Sequence, residues 1–385
     1  MRILHVASFS GNIGDSANHS GLRFKLKSIL PEGAVYDEIE IRRFYVKYDG
    51  PDKLQFDLDF ANIANNYDLL IIGGGNFFEV WIEGSSTGCT IDIGPEVIEA
   101  INTKVLFFGL GFDCYKGYSS TTLHNFFNFV QRLQDKKRFF VTVRNDGSIE
   151  QFIERYGVEA SGLLRKVPDG GFFINTCSDS SPLIPSGKCN IILSLAKDMP
   201  SVRFGKDTEK SGYAFLVKSI VHYIIHMANK SKEVHFTLMP HIYSDLQIIN
   251  EVIELLPDFI RRNCVGVGPC LLGSIAVDPV FSVYRKADCV VAMRFHASVC
   301  SIGLGIPTIG LSTYRKISDL YRELGILDRL VVARDKSFHD ELISKTEWIL
   351  NRKHEVKNEN IIIMKKLVGE FDAFLSDFRG FLKNS

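Results

Sequence analysis

Residues Tyr284 to Leu320 read YRKADCVVAMRFHASVCSIGLGIPTIGLSTYRKISDL, and this stretch decides the fold. Its apolar run Cys289 to Ala292 has the length and residue type of a buried parallel strand. The run stops at Arg294, Phe295 and His296. An apolar segment with small residues follows, Ala297 to Leu304, and ends at Gly305 and Pro307, the punctuation of a helix C-terminus. A second short strand, Thr308 to Leu311, leads into Ser312, Thr313, Tyr314, Arg315 and Lys316. Strand, loop, helix, strand, loop is the alternation of a parallel α/β sheet. Both loops then leave its C-terminal edge, where open α/β sheets bind ligands.

One imidazole and three cations collect on those loops: His296, Arg294, Arg315 and Lys316. If His296 opens the helix, the amides of the first turn and the helix dipole add positive potential. Such a cup suits a small, highly charged anion. The same residues also admit a structural reading, in which His296 is a hydrogen-bonding group at a strand end and the cations are solvated.

The alternation extends in both directions. Ile3 to Ala7 reads as a first strand and runs into Gly11, Asn12, Ile13, Gly14 and Asp15, a glycine-containing loop that lets backbone amides approach a ligand. The spacing of Gly11 and Gly14 makes neither a dinucleotide fingerprint nor a P-loop. Asp15 or Ser16 can equally serve as a helix cap. Tyr67 to Ile72 is a buried strand that exits into Gly73, Gly74, Gly75 and Asn76. The long loop after it, Phe77 to Pro95, carries Glu79, Trp81 and Glu83 and is assigned to a polar acceptor. Val105 to Gly109 and Phe139 to Val143 are further strands, and the second exits into Arg144, Asn145 and Asp146. Arg144 thus stands to the first half as Arg294 stands to the second, with an ion pair to Asp146 or Asp169 as its structural alternative.

A chain of 385 residues implies two or three domains. Residues 177–188, rich in Ser with two Pro and little apolar content, form the expected linker. It separates an N-terminal α/β domain, 1–176, from a C-terminal α/β domain with C-terminal helices, 189–385. Two doubly wound, Rossmann-like domains facing a cleft are therefore expected. Small ligands favour such interfaces.

Composition excludes several classes. Lys plus Arg equals Asp plus Glu at 45 each, so no global charge attracts nucleic acid, and no nucleic-acid partner is expected. The ten His lie without metal-ligand spacing, so no metal is expected. The eight Cys form no CxxC pair and sit mostly in apolar runs, as reduced thiols do. The N-terminus begins directly with a strand, and no run reaches the roughly 18 to 20 apolar residues of a membrane helix. A cytoplasmic protein is expected. Contact of the C-terminal helices with the inner face of a membrane stands as the alternative to ordinary packing.

Six segments, in order, resemble the polysaccharide pyruvyl transferase family: GNIGD (Gly11 to Asp15), LLIIGGGNFFE (Leu69 to Glu79), FGLGF (Phe108 to Phe112), VTVRNDGS (Val141 to Ser148), PDGGF (Pro168 to Phe172) and RFHASVCSIGLGIPTIGLSTYRKI (Arg294 to Ile317). The resemblance implies a GT-B-like fold. It implies transfer of pyruvyl from phosphoenolpyruvate, a co-substrate with no further cofactor, to two hydroxyls of a sugar in a surface glycan or its polyprenyl-linked precursor. His296 matches the family's proton-transfer residue, and Arg144 and Lys316 match its donor-holding residues. Arg294 and Arg315 join them from the reading of the loops. The acceptor side falls to Gly11, Asn12, Gly14, Asp15, Gly74, Gly75, Asn76 and Glu79. The family usually shows Asp directly after the matching Arg, whereas here Asn145 intervenes before Asp146. A GT-B glycosyltransferase using a nucleotide-sugar is the alternative.

Overall fold

The structure, a computed structural model, describes residues 1–176, 184–204, 212–335 and 337–383. Most of the expected linker, residues 177–183, lies outside them. Two six-stranded sheets form, with neighbouring strands paired parallel among the described residues. The first comprises β1 (Arg2–Ala7), β2 (Val35–Glu40), β3 (Leu69–Glu79), β4 (Lys104–Asp113), β5 (Phe139–Arg144) and β6 (Arg165–Val167), in the order β2-β1-β3-β4-β5-β6. The second comprises β7 (Cys189–Ser194), β8 (Val234–Leu238), β9 (Val265–Val267), β10 (Cys289–Ala292), β11 (Thr308–Ser312) and β12 (Leu330–Val332), in the order β12-β11-β10-β7-β8-β9. Strand order reverses between β1 and β3 in one sheet and between β7 and β10 in the other. These are the topological switch points at which doubly wound sheets hold ligands.

Near-continuous apolar strands such as LLII and CVVA are buried on both faces because helices cover both sides of a parallel sheet. The first core gathers Val6, Leu70, Ile72, Phe78, Phe107, Phe112, Phe126 and Phe152. Ile191, Leu193, Phe236, Val291, Ile309 and Leu311 anchor the second. Strand β3 does not stop at Ile72, where its glycines begin. It runs on through Glu79 because β4 runs on beside it, pairing Gly75 with Leu110 and, after a register shift, Phe78 with Phe112 and Glu79 with Asp113. This paired extension carries Asn76 and Glu79 out to the sheet edge. Two edge strands carry little sequence signal: β2, VYDEIE, is half acidic with no fully buried residue, and β12 has three residues.

The chain divides into two compact units that are discontinuous in sequence. One comprises Met1–Ser10, Arg23–Gly170 and Leu367–Ser385, and the other Gly11–Leu22 and Gly171–Lys366. A single boundary at 177–188 therefore misses two segments. Ile13 and Ala17, early in the helix Ile13–Leu26, belong to the apolar cluster of Ile192, Val280, Val290 and Cys300. At the other end of the chain, Phe374 of the helix Lys353–Lys383 lies 5.8 Å from Phe108 and 6.0 Å from Phe140, ring to ring, and Phe378 lies 5.6 Å from Phe140. Burying each such ring contributes roughly 1.5 to 3 kcal/mol. No helix of the described residues is long and apolar enough to cross a membrane.

Candidate active site

In the second unit, β10 ends at Ala292 and the helix Phe295–Gly303 begins three residues later, with Arg294 as its cap. His296 therefore sits in the first helical turn, at the β7/β10 switch point. It is 7% exposed, and its Nδ1 lies 3.7 Å from Asp15 Oδ1. The GNIGD loop reaches it through Gly14: a Cβ built there would lie 2.6 Å from both Cβ and Nδ1 of His296. Only glycine permits that approach. Asn12 Oδ1 accepts the Gly14 amide at 3.0 Å, and His241 O accepts the Ile13 amide at 3.1 Å. Gly11, with φ +79°, turns the chain into this loop. Gly11, Asn12, Gly14 and Asp15 thus belong with His296.

The next strand exit supplies Lys316 and Arg315, both in the first turn of the helix Arg315–Leu324. Lys316 is 5% exposed, and its ammonium lies 5.2 Å from the centre of the Phe295 ring, a cation–π distance. Arg315 Nε pairs with Asp319 Oδ2 at 2.9 Å, one turn on. Neither this helix nor the helix Phe295–Gly303 has a side-chain cap hydrogen bond. Both helix N-termini consequently aim first-turn amides at the sheet edge.

Arg294 is held by two carboxylates. Its Nε donates to Asp245 Oδ2 at 3.1 Å, its Nη2 also bonds Asp245 Oδ1, and Asp198 Oδ1 lies 2.8 Å from Nη2. Burial pulls this guanidinium down, but Asp245 and Asp198 more than offset it and leave it raised from its ordinary value. Asp198 also accepts from Arg203 Nε at 3.2 Å, and Arg203 Nη1 donates to Thr313 Oγ1 at 3.2 Å. Burial raises the Asp198 carboxyl, yet Arg294 and Arg203 hold it below its usual value. Asp245 accepts the amides of His241 and Ile242 at 3.0 and 3.2 Å. One buried network therefore ties together the exits of β7, β8, β10 and β11, and Arg294 is a positioning residue in it. Asp198, Arg203 and Asp245 escaped the sequence reading. Their only signal was placement just after a strand.

In the first unit, Arg144 is 3% exposed. Its Nε donates to Asp146 Oδ2 at 2.6 Å, its Nη1 lies 3.6 Å from Asp169 Oδ2, and its Nη2 donates to Asn76 Oδ1 at 3.3 Å. The ion pair weighed as the structural alternative is present with both carboxylates. Asn145 is accounted for too: its Oδ1 accepts the Asp169 amide at 3.0 Å, while Asp146 takes the ion pair. Gly111 of FGLGF makes the arrangement possible, since a Cβ there would stand 2.1 Å from Asn76 Oδ1 and 2.9 Å from Arg144 Nη2. Asn76 Nδ2 bridges the carboxylates of Glu79 and Asp113. Gly75 underlies the Phe77 ring, and Gly74 lies buried in β3 beside it. Among the described residues no group of three or more His, Cys, Asp or Glu is arranged to hold a metal ion.

The two parallel sheets with their helices define an α/β protein of GT-B-like fold. A glycosyltransferase from Rickettsia africae ESF-5 superposes with a TM-score of 0.57 over 100% of this chain and 99% of its own, at 13% identity. UDP-GlcNAc 2-epimerase from Methanocaldococcus jannaschii gives 0.52 over 92% and 94%, at 12% identity. Identities this low speak for the fold alone. No curated protein matches the sequence. The family comparison goes further: residues 12–314 match polysaccharide pyruvyl transferase, and the chain belongs to that family of transferases.

Proposed function

We propose that the protein transfers a pyruvyl group from phosphoenolpyruvate to two hydroxyls of one sugar, in a surface glycan or its lipid-linked precursor. The products are a cyclic ketal and phosphate. The observation that carries this reading is His296, buried in the first turn of a helix at the switch point, beside Asp15 and with the Lys316 ammonium on the same edge. Phosphoenolpyruvate bears a phosphate and a carboxylate. A buried ammonium and two helix N-termini without side-chain caps are groups that bind such an anion.

The imidazolium of His296 gives its proton to the methylene carbon, and the cation that develops at C2 is stabilised by the attached oxygen. One sugar hydroxyl adds to C2 and returns a proton to the imidazole. The C2–O bond to phosphate then breaks, the second hydroxyl closes the ring, and its proton leaves with phosphate. The vinyl carbon becomes a methyl group, and nothing is oxidised or reduced, so no cofactor enters. An imidazole can both give and take a proton, so one side chain serves both transfers, and the Asp15 carboxylate stands 3.7 Å from its Nδ1. Arg144 retains the donor-holding role implied by the family motif, as a group to be tested on its own.

Purified protein incubated with phosphoenolpyruvate and a panel of glycosides should release phosphate and produce a ketal methyl signal in proton NMR. His296→Ala should fold normally and lose about 10² to 10⁴ in rate. Wild-type turnover by His296→Ala would sink the assignment. Release of a nucleotide from a nucleotide-sugar, without phosphate release from phosphoenolpyruvate, would identify a glycosyltransferase instead.

A further inference from the structure

At the C-terminal ends of β3 and β4 in the first unit, Trp81 is half-buried and its indole N–H donates to Glu79 Oε2 at 3.1 Å, which fixes the ring. Two ammonium groups flank it: Lys116 at 5.3 Å and Lys47 at 5.7 Å from the ring centre. Lys116 also pairs with Glu79 Oε2 at 2.8 Å. The buried carboxylates of Glu79, at the edge of the ring, and of Asp113 are held by the Asn76 amide, and Asp113 Oδ1 accepts the Tyr115 amide at 3.3 Å.

The charges decide what this group recognises. Glu79 and Asp113 balance Lys47 and Lys116, so the four sum to zero. A phosphate or carboxylate approaching Lys116 would meet Glu79 on the same ammonium, with Asp113 behind it. Fixed carboxylate lone pairs, an amide and rotating ammonium donors instead match hydroxyl groups, which donate and accept at one atom. An indole offers a flat apolar face with a polar edge, and the C–H face of a pyranose fits it. We infer that Trp81, Glu79, Asp113, Asn76, Lys47 and Lys116 form a binding subsite for an uncharged pyranose. The inference rests on the acceptor being a sugar, as proposed above, and narrows it: the moiety held here is recognised by its hydroxyls and ring face, not by an acidic group or a carrier phosphate.

Trp81 reports on its own occupancy. The sequence holds two tryptophans, so Trp348→Phe leaves Trp81 as the sole indole emitter. This variant is titrated with the methyl glycosides of glucose, galactose and mannose, with glucuronate and galacturonate, and with inorganic phosphate. At least one neutral glycoside should change Trp81 emission saturably, more tightly than either uronate, and phosphate should do nothing. Lys116→Met in the same background should weaken that glycoside about tenfold. Should it misfold, the exposed Lys47→Gln supplies the second variant, with weakening again expected. Saturation by a uronate or phosphate in preference to every neutral glycoside overturns the inference, as does silence with all three glycosides. Neither result touches the pyruvyl transfer reading, which phosphate release from phosphoenolpyruvate tests separately.

Discussion

His296 is packed so closely that its neighbours become testable. Gly14→Ala would push a methyl group into the ring, 2.6 Å from Cβ and Nδ1, and one or the other must move. We expect a rate loss of about 10²-fold, the size seen for misplacement by about 1 Å, with little change in the melting temperature of the protein. Unchanged turnover would contradict the packing. Arg294→Met strands the buried Asp245 without its cation, while Asp198 keeps Arg203, and breaking a buried pair from one side costs about 3 to 5 kcal/mol. Chemical denaturation should show that loss. His241 gives a pH signature. Burial, followed by the charges of Arg294 and His296, holds its imidazole well below the histidine range. The unfolded chain takes up that proton near pH 6.5 and the folded chain does not. Stability is therefore unaffected above about pH 7 and falls below about pH 6.5, by up to about 1.4 kcal/mol per pH unit. His241→Gln should remove that part of the acid slope, and equal slopes in the two proteins would refute it.

Elements explain what was legible in the sequence and what was not. The strand Cys289–Ala292 and the helix Phe295–Gly303 were readable because burial on both faces leaves an unbroken apolar run, and Gly305 and Pro307 mark the stop. His296 and Lys316 were readable for the same reason: each lies directly beyond such a run. The chemistry around them was not readable. Asp198 and Asp245 are separated from Arg294 by 96 and 49 residues and meet it only because β7, β8 and β10 are neighbours. Whether Arg144 faces ligand or carboxylate likewise depends on which side chains the sheet brings to its edge. Glycine readings erred at β3, because three glycines inside a strand look locally like an exit. The C-terminal helix gives a prediction at this scale. Deleting residues 367–385 uncovers Phe108 and Phe140 and removes Phe371, Phe374 and Phe378 from the core, so the first unit should lose several kcal/mol on the basis of roughly 1.5 to 3 per ring.

At the scale of the whole molecule, the chain passes between its two units four times, after Ser10, Leu22, Gly170 and Lys366. A fragment cut at the expected linker, residues 1–176, would carry the Ile13–Leu22 segment without its apolar partners and lack the helix that covers Phe108 and Phe140. It should therefore aggregate or melt without a cooperative transition. Membership of the polysaccharide pyruvyl transferase family supplies the reaction class, and the donor proposed for it is phosphoenolpyruvate. The most direct measurement is the melting temperature of the full chain with phosphoenolpyruvate, and with UDP and GDP in parallel, for wild type and Lys316→Ala. A ligand at about 100 times its dissociation constant stabilises by about 2.7 kcal/mol. The melting temperature should rise with phosphoenolpyruvate, a rise that Lys316→Ala abolishes and that neither nucleotide produces. A rise with a nucleotide and none with phosphoenolpyruvate would contradict it.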